Sequence, residues 1–223
     1  MTRSIDPVHS NVLKLMTRSL KENNLSRLTA LKGLQNLQDR DPFKILIATM
    51  LSARTRDENT IKVVKKLFDK YRDINEFSNA SFDDIREIIH SIGFYNVKAL
   101  RIKQVVQILL DRYDGKVPSN FDELISLPGV GRKTANCVLV YAFELPAIPV
   151  DTHVHRISNR LGIVNTSRPE ETEFELQNIF DKKKWTSVND TFVTYGQNIC
   201  LPINPRCSIC QLKSRCKYFR NTN

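Results

Sequence analysis

Leu127-Pro128-Gly129-Val130-Gly131-Arg132-Lys133-Thr134-Ala135 is the stretch on which the reading of this chain turns. It lies between the short segment Phe121 to Ser126 and an apolar helical run from Arg132 to Phe143, and so reads as helix, hairpin, helix. Gly129 and Gly131 permit positive φ and close approach of the backbone. The amides of the hairpin and of the next helix's first turn can then meet a phosphate with no side chain in the way. A Gly-x-Gly turn standing alone serves equally well as a plain connector. Lys133 falls in the first turn of the second helix, where the positive end of the macrodipole disfavours a protonated amine. At an ordinary lysine pKa, fewer than about one amine in a thousand is neutral at pH 7, and a pKa of roughly 7 to 8 would raise that fraction by two to three orders of magnitude. A neutral amine is a nucleophile; a surface lysine in its ordinary state is the competing reading.

Outward from the hairpin the periodicity is helical. Ile102, Val105, Val106, Leu109, Leu110 and Tyr113 share one face of a helix that Gly115 should stop. Asp41-Pro42 opens the apolar stretch Phe43 to Leu51, expected as a buried central helix, and Ser81 with Asp84 opens a helix from Phe82 to Ile92. Asp57 to Tyr71 carries a stripe of Ile61, Val64, Phe68 and Tyr71. Strand-type alternation is hard to find, so an all-α protein is expected. No repeat of domain-building length and no long linker interrupts the chain.

With 41% hydrophobic residues, the 223-residue chain has material for one large core or two smaller ones. Its 34 Lys and Arg against 24 Asp and Glu give a net charge of +10, which favours a polyanionic partner, nucleic acid or an anionic membrane surface. There is no apolar run long enough to span a bilayer, and Asp6 and His9 stand where a signal peptide would carry its apolar core. A cytoplasmic, nucleoid-associated or nuclear protein is expected, and a monomer, since no heptad seam is present.

Four of the five cysteines crowd into Cys200-x6-Cys207-x2-Cys210-x5-Cys216. In a reducing compartment such spacing points to a metal centre, either tetrahedral zinc or an iron–sulfur cluster, between which spacing does not choose. Arg206, Lys213, Arg215, Lys217 and Arg220 nearby can offset thiolate charge or face phosphates. Cys137, among Val138, Leu139 and Val140, reads as a small buried hydrophobe. Asp151, after Pro149-Val150 and before Thr152-His153-Val154-His155, suits a helix N-cap. A carboxylate fixed there can also take a proton from an amine or stabilise positive charge on a sugar. His153 and His155 point about 200° apart on a helix, which argues against a shared metal.

With the hairpin lysine, Val-Asp-Thr-His and the four cysteines in that order, the chain resembles the endonuclease III family of helix-hairpin-helix DNA glycosylases. The resemblance runs from about Leu28 to Lys217. It implies a [4Fe-4S] cluster on Cys200, Cys207, Cys210 and Cys216. It also implies a six-helix barrel domain over 35–145 bearing the hairpin, and a cluster domain made from 1–34 and 146–223, with double-stranded DNA held between them. By the family's pattern Lys133 attacks the sugar C1′ of an oxidised pyrimidine nucleotide and forms a Schiff base, with Asp151 assisting, and β-elimination follows. Related adenine-removing enzymes carry Ser at the lysine position and thymine-mismatch enzymes Tyr, so Lys133 implies combined glycosylase and abasic-site lyase chemistry.

Extruding a nucleotide leaves a gap in the stack. Phe94, in Gly93-Phe94-Tyr95-Asn96, matches the family's wedge, and Arg54, in Leu51-Ser52-Ala53-Arg54-Thr55-Arg56-Asp57, replaces a gap-filling Gln. Ser52 and Asp57 match polar positions near the reactive lysine. Leu127, Gly129, Gly131, Arg132 and Thr134 of the hairpin, with Arg206, complete the expected DNA contacts. The rival readings are a non-catalytic helix-hairpin-helix DNA-binding module, a glycosylase of different lesion or mismatch specificity, and a redox-sensing or zinc-structural protein.

Overall fold

The computed structural model of the protein describes residues 7–25, 40–55 and 57–222, with side chains from residue 11 onward and without that of Asp57. Among the described residues there is no β-strand, and backbone contacts gather them into two helical units: 40–145 forms one, and 7–25 with 146–222 the other.

The first unit is built around α2 (Pro42–Ser52). Asp41 caps it through its side chain, which accepts from the amides of Phe43 and Lys44 at 2.9 and 3.2 Å, and Pro42 occupies the first turn, where no amide partner is needed. Every residue from Ile45 to Leu51 is buried, as a central helix requires. Around it lie α3 (Asp57–Lys70), α4 (Ile74–Asn79), α5 (Phe82–Ile88), α6 (Tyr95–Tyr113), α7 (Phe121–Ser126) and α8 (Arg132–Phe143), and α2 packs on α3, α6 and α8. Phe77 sits at the centre of an aromatic cluster, its ring centroid 5.1 Å from that of Phe43, 5.4 Å from Phe68 and 5.5 Å from Tyr71. Burying side chains of this size contributes about 1.5 to 3 kcal/mol each.

Three details depart from the sequence expectation. The helix opened by Ser81 ends at Ile88, four residues early, because tight turns there let both Ile89 and Ile92 reach the core before Gly93. The buried stripe of α3 is Val63, Val64, Leu67 and Phe68, continued by Tyr71, while Ile61 is only half-buried. The last turn of α6 is closed by Asp114 as well as Gly115, both in the left-handed region at φ +50° and +74°.

The second unit comprises α1 (Pro7–Glu22), α9 (Thr152–Leu161), α10 (Pro169–Ile179), α11 (Trp185–Asn198) and α12 (Lys217–Thr222), with three single 3-10 turns. Met16, Val154, Ile157, Leu176, Phe192 and Tyr195 share one core, so segments far apart in sequence fold together. The Gln211 amide donates to Ser19 Oγ at 3.2 Å and ties α1 to the cysteine-rich loop.

Candidate functional site

The hairpin forms as its sequence dictates. Leu127 closes α7 and is buried, its side chain facing the core, so only its backbone is available to a partner. Gly129 takes φ +84°, and a Cβ there would meet Arg101 Cδ at 2.5 Å. Gly131 differs from expectation. It sits at φ −96°, ψ 176°, an extended conformation open to any residue, and a Cβ there would meet nothing within 4 Å. What Gly131 contributes is an exposed, uncrowded backbone at the N-cap of α8, where no side chain caps the helix. Arg132 then lies with its guanidinium 4.7 Å from the Phe121 ring centroid, Lys133 is half-buried as the second residue of α8, and Thr134 is buried. Cys137 is fully buried farther along the same helix, as its apolar neighbours require.

In the same unit, the turn after α2 and the turn before α6 meet. Arg54 and Phe94 both adopt the left-handed region, at φ +55° and +60°, uncommon for residues with a Cβ and a form of strain that gathers at functional sites. Phe94 is 62% exposed, so it is not a core aromatic, and the Arg54 guanidinium lies 5.7 Å from its ring centroid. The backbone carbonyl of Arg54 would stand 3.3 Å from a Cβ on Gly93. Ser52 turns inward: its hydroxyl donates to the Thr49 carbonyl at 2.8 Å within α2. Asp57 begins α3, and its side chain lies outside the described residues.

Asp151 belongs to the second unit. It caps α9 with one oxygen, Oδ1, which accepts from the amides of His153 and Val154, both at 2.9 Å. The segment entering this cap is fixed by buried Asn189, whose amide nitrogen donates to the Pro149 carbonyl at 2.8 Å. His155 bonds Thr172 Oγ1 at 2.7 Å and His153 Nδ1 accepts from Arg156 at 3.1 Å, so both histidines have structural partners.

The four clustered cysteines line one recess, together with Arg160, Tyr195, Arg206, Lys213 and Tyr218. Among the described residues no carboxylate lines it. Arg160 donates to Cys200 Sγ at 3.6 Å and to the carbonyls of Leu201 and Pro202, while Arg156 donates to the Cys200 carbonyl at 2.8 Å. Tyr195 O–H donates to Cys210 Sγ at 2.9 Å. Burial pushes the thiols of Cys207 and Cys210 above the ordinary range; at Cys210 the hydrogen bond from Tyr195 opposes it, and the neighbouring Cys216 and Cys200 raise both.

Residues 47–182 match the model of the HhH-GPD superfamily base excision DNA repair protein. The chain is 50% identical over 186 residues to endonuclease III of Thermotoga maritima, covering 83% of this chain and 87% of that one. Its fold superposes with a TM-score of 0.82 on a structure of a non-covalent endonuclease III–DNA complex, at 35% identity over 95% of this chain and 96% of the other. A trapped endonuclease III–DNA covalent intermediate superposes at 0.80, with 33% identity over 95% and 97%. The chain belongs to the endonuclease III family.

As a family member it is an enzyme of the DNA glycosylase and abasic-site lyase class. The endonuclease III family carries an iron–sulfur cluster. Among the described residues no three Cys, His, Asp or Glu side chains are drawn into a ready-made cage. The recess nonetheless fits such a group. It presents four sulfurs and, among the described residues, no oxygen acid; three cationic side chains oppose thiolate charge, and Tyr195 and Arg160 donate to two of the cysteine sulfurs. Arg156, Arg160 and Tyr195 escape a reading by sequence because their partners are main-chain carbonyls and sulfurs. Lys98 does carry a signal: it sits four residues before Ile102 on the apolar face of α6, an odd place for a charge.

Proposed function

We propose that this endonuclease III family member is a bifunctional glycosylase and abasic-site lyase that removes oxidised pyrimidines from duplex DNA. The observation that carries the reading is the setting of Lys133: a half-buried lysine in the uncapped first turn of α8, beside the backbone of an exposed glycine. In that setting the helix dipole and the amides of Gly131 and the following turn attract a DNA phosphate, and Lys133 reaches the adjoining sugar.

The neutral Nζ of Lys133 attacks C1′, the C1′–N bond breaks, and the base departs with the electron pair and takes up a proton. Loss of the amine's proton and opening of the sugar ring give a protonated Schiff base. Removal of a C2′ proton then expels the 3′ phosphate and nicks the strand. Asp151, with Oδ1 held in the cap of α9, supplies its carboxylate charge to the cationic sugar and accepts the lysine proton. Cys200, Cys207, Cys210 and Cys216 would hold the [4Fe-4S] cluster, which when bound supplies four iron–sulfur bonds cross-linking residues 200–216. The enzyme is proposed to work as a monomer in the DNA-containing compartment.

The test is borohydride trapping on duplexes bearing a single oxidised pyrimidine. Wild type should be trapped covalently, and Lys133→Ala should lose both trapping and base release. Base release at the wild-type rate by the Ala variant would sink the reading.

A further inference from the structure

Lys98 is buried, yet no carboxylate among the described residues partners it. Its Nζ donates three hydrogen bonds, to the carbonyl of Leu51 at 2.9 Å, the carbonyl of Ala53 at 2.6 Å and Thr55 Oγ1 at 3.3 Å. Three donors thus meet three acceptors, and the ammonium is saturated. Two of those acceptors are main-chain carbonyls at the C-terminal end of α2, where carbonyls lack helical partners and the macrodipole is negative. Lys98 therefore acts as a C-terminal cap supplied by another helix. Its own position, one turn into α6, lies four residues after Phe94, and the turn it grips contains Arg54.

Burial lowers the Lys98 pKa to about 8, which marks the cost of placing a charge there; the three oxygens favour the charged form. A second lysine of α6 shows what capping alone looks like. Lys103 donates to the carbonyls of Ser78 and Ala80 at 2.8 and 2.7 Å and closes α4 in the same manner, but α4 carries neither Arg54 nor Phe94. The two lysines do one structural task, and only Lys98 does it beneath a pair of strained, exposed side chains.

We propose that Lys98 is a positioning residue for base excision: its clasp on Leu51, Ala53 and Thr55 holds Arg54 against Phe94, so that the two enter the duplex as one preformed probe. This rests on the base-excision reading above and adds to it a residue that acts through the two side chains at the wedge and gap-filling positions. A guanidinium lying on an aromatic ring presents a flat stacking surface edged with N–H donors, suited to the acceptor edge of an unpaired base. Ordering both side chains before binding removes an entropy loss that would otherwise fall in the complex.

The experiment uses the full chain in a Lys133→Ala background, so that no chemistry intervenes. The probe is a duplex with a tetrahydrofuran abasic analogue opposite 2-aminopurine, whose emission reports unstacking, with binding followed separately by anisotropy. Arg54→Ala and Phe94→Ala are each expected to lower the protein-induced emission by about threefold or more, and Lys98→Met to lower it as far. Adding Arg54→Ala to Lys98→Met should change little further, as expected of residues acting as a unit. Lys103→Met, the matched control, should keep wild-type emission.

Wild-type emission from Lys98→Met overturns the proposal, as does an equal loss from Lys103→Met or full additivity with Arg54→Ala. If Lys98→Met does not fold, Lys98→Gln, which keeps an N–H donor, takes its place with the same expectations. Failure of both to fold would make Lys98 a purely structural cap and overturns the positioning role. Failure of the Lys133→Ala parent to bind the duplex strikes the base-excision reading itself, whereas binding with emission insensitive to Arg54 and Phe94 strikes only this inference.

Discussion

Tyr195 donates its phenolic hydrogen to Sγ of Cys210 across 2.9 Å, joining the last turn of α11 to the cysteine loop within one core. Burial, and then the Cys210 charge, hold the phenol well above the ordinary tyrosine range, so it remains a donor throughout the working pH range. In the proposed cluster-bound form, a hydrogen bond to a sulfur that ligates iron stabilises the more negative, reduced cluster. On that proposal Tyr195→Phe should keep the fold and lower the cluster's reduction potential by roughly 50 mV, about a tenfold change for one electron. Voltammetry of the loaded protein bound to DNA measures this; a potential unmoved by the substitution would show that the hydrogen bond is lost once the sulfur ligates iron.

The two glycines of the hairpin should respond differently to alanine. Gly129 combines φ +84° with the Arg101 side chain in the way, so Gly129→Ala should cost about 1 to 2 kcal/mol, part of it recovered as Arg101 swings aside. Gly131→Ala meets no neighbour and no forbidden φ, and its stability should lie within about 0.5 kcal/mol of wild type. On the proposed mode of DNA binding its methyl stands in the path of a phosphate approaching the α8 amides, so DNA affinity should fall while the urea midpoint holds. Urea unfolding and anisotropy titration on the same two variants separate these effects.

Much of this was legible in the sequence, and the reasons it was or was not are local. Helix starts were readable where a short polar side chain satisfies first-turn amides, as at Asp41, Ser81 and Asp151. The helix–hairpin–helix read correctly because Pro128 and the two glycines interrupt strong apolar periodicity. The early end of α5 was not readable, since Ile89 and Ile92 fit the helical period and are buried by tight turns in place of a continued helix. The conformation of Gly131 depends on how the chain enters α8, and glycine in a sequence shows permission without showing use. The pairing of Arg54 with Phe94 joins residues 40 positions apart and is visible only in three dimensions.

Lys98 also gives the protein a measurable pH dependence. Its folded pKa is about 8 and its ordinary value 10.5, so between those values the unfolded chain binds more protons than the folded one. The contribution of Lys98 to stability thus rises with pH across about 8 to 10.5, is fully present above that window, and is lost as pH falls through 8. Urea denaturation of wild type and Lys98→Gln at intervals from pH 7.5 to 10.5 isolates the effect in the difference between them. That difference should shift in favour of wild type as pH rises; a flat difference would mean that the three oxygen acceptors offset the burial.

Asp151 lends itself to a separation of capping from chemistry. Both amides it accepts fall on Oδ1. Asn is as good an N-cap as Asp and presents an oxygen in the same place, so Asp151→Asn should keep stability within about 0.5 kcal/mol, whereas Asp151→Ala loses the cap and about 1 kcal/mol. The amide carries no negative charge and accepts no proton from Lys133. If the carboxylate assists the sugar chemistry, base release by Asp151→Asn should drop by roughly two to four orders of magnitude, the range of a lost general base. Capping alone predicts the opposite pattern: Asp151→Asn active and only Asp151→Ala impaired, in proportion to its lower stability. Single-turnover base release at a temperature where all three proteins are folded decides between them.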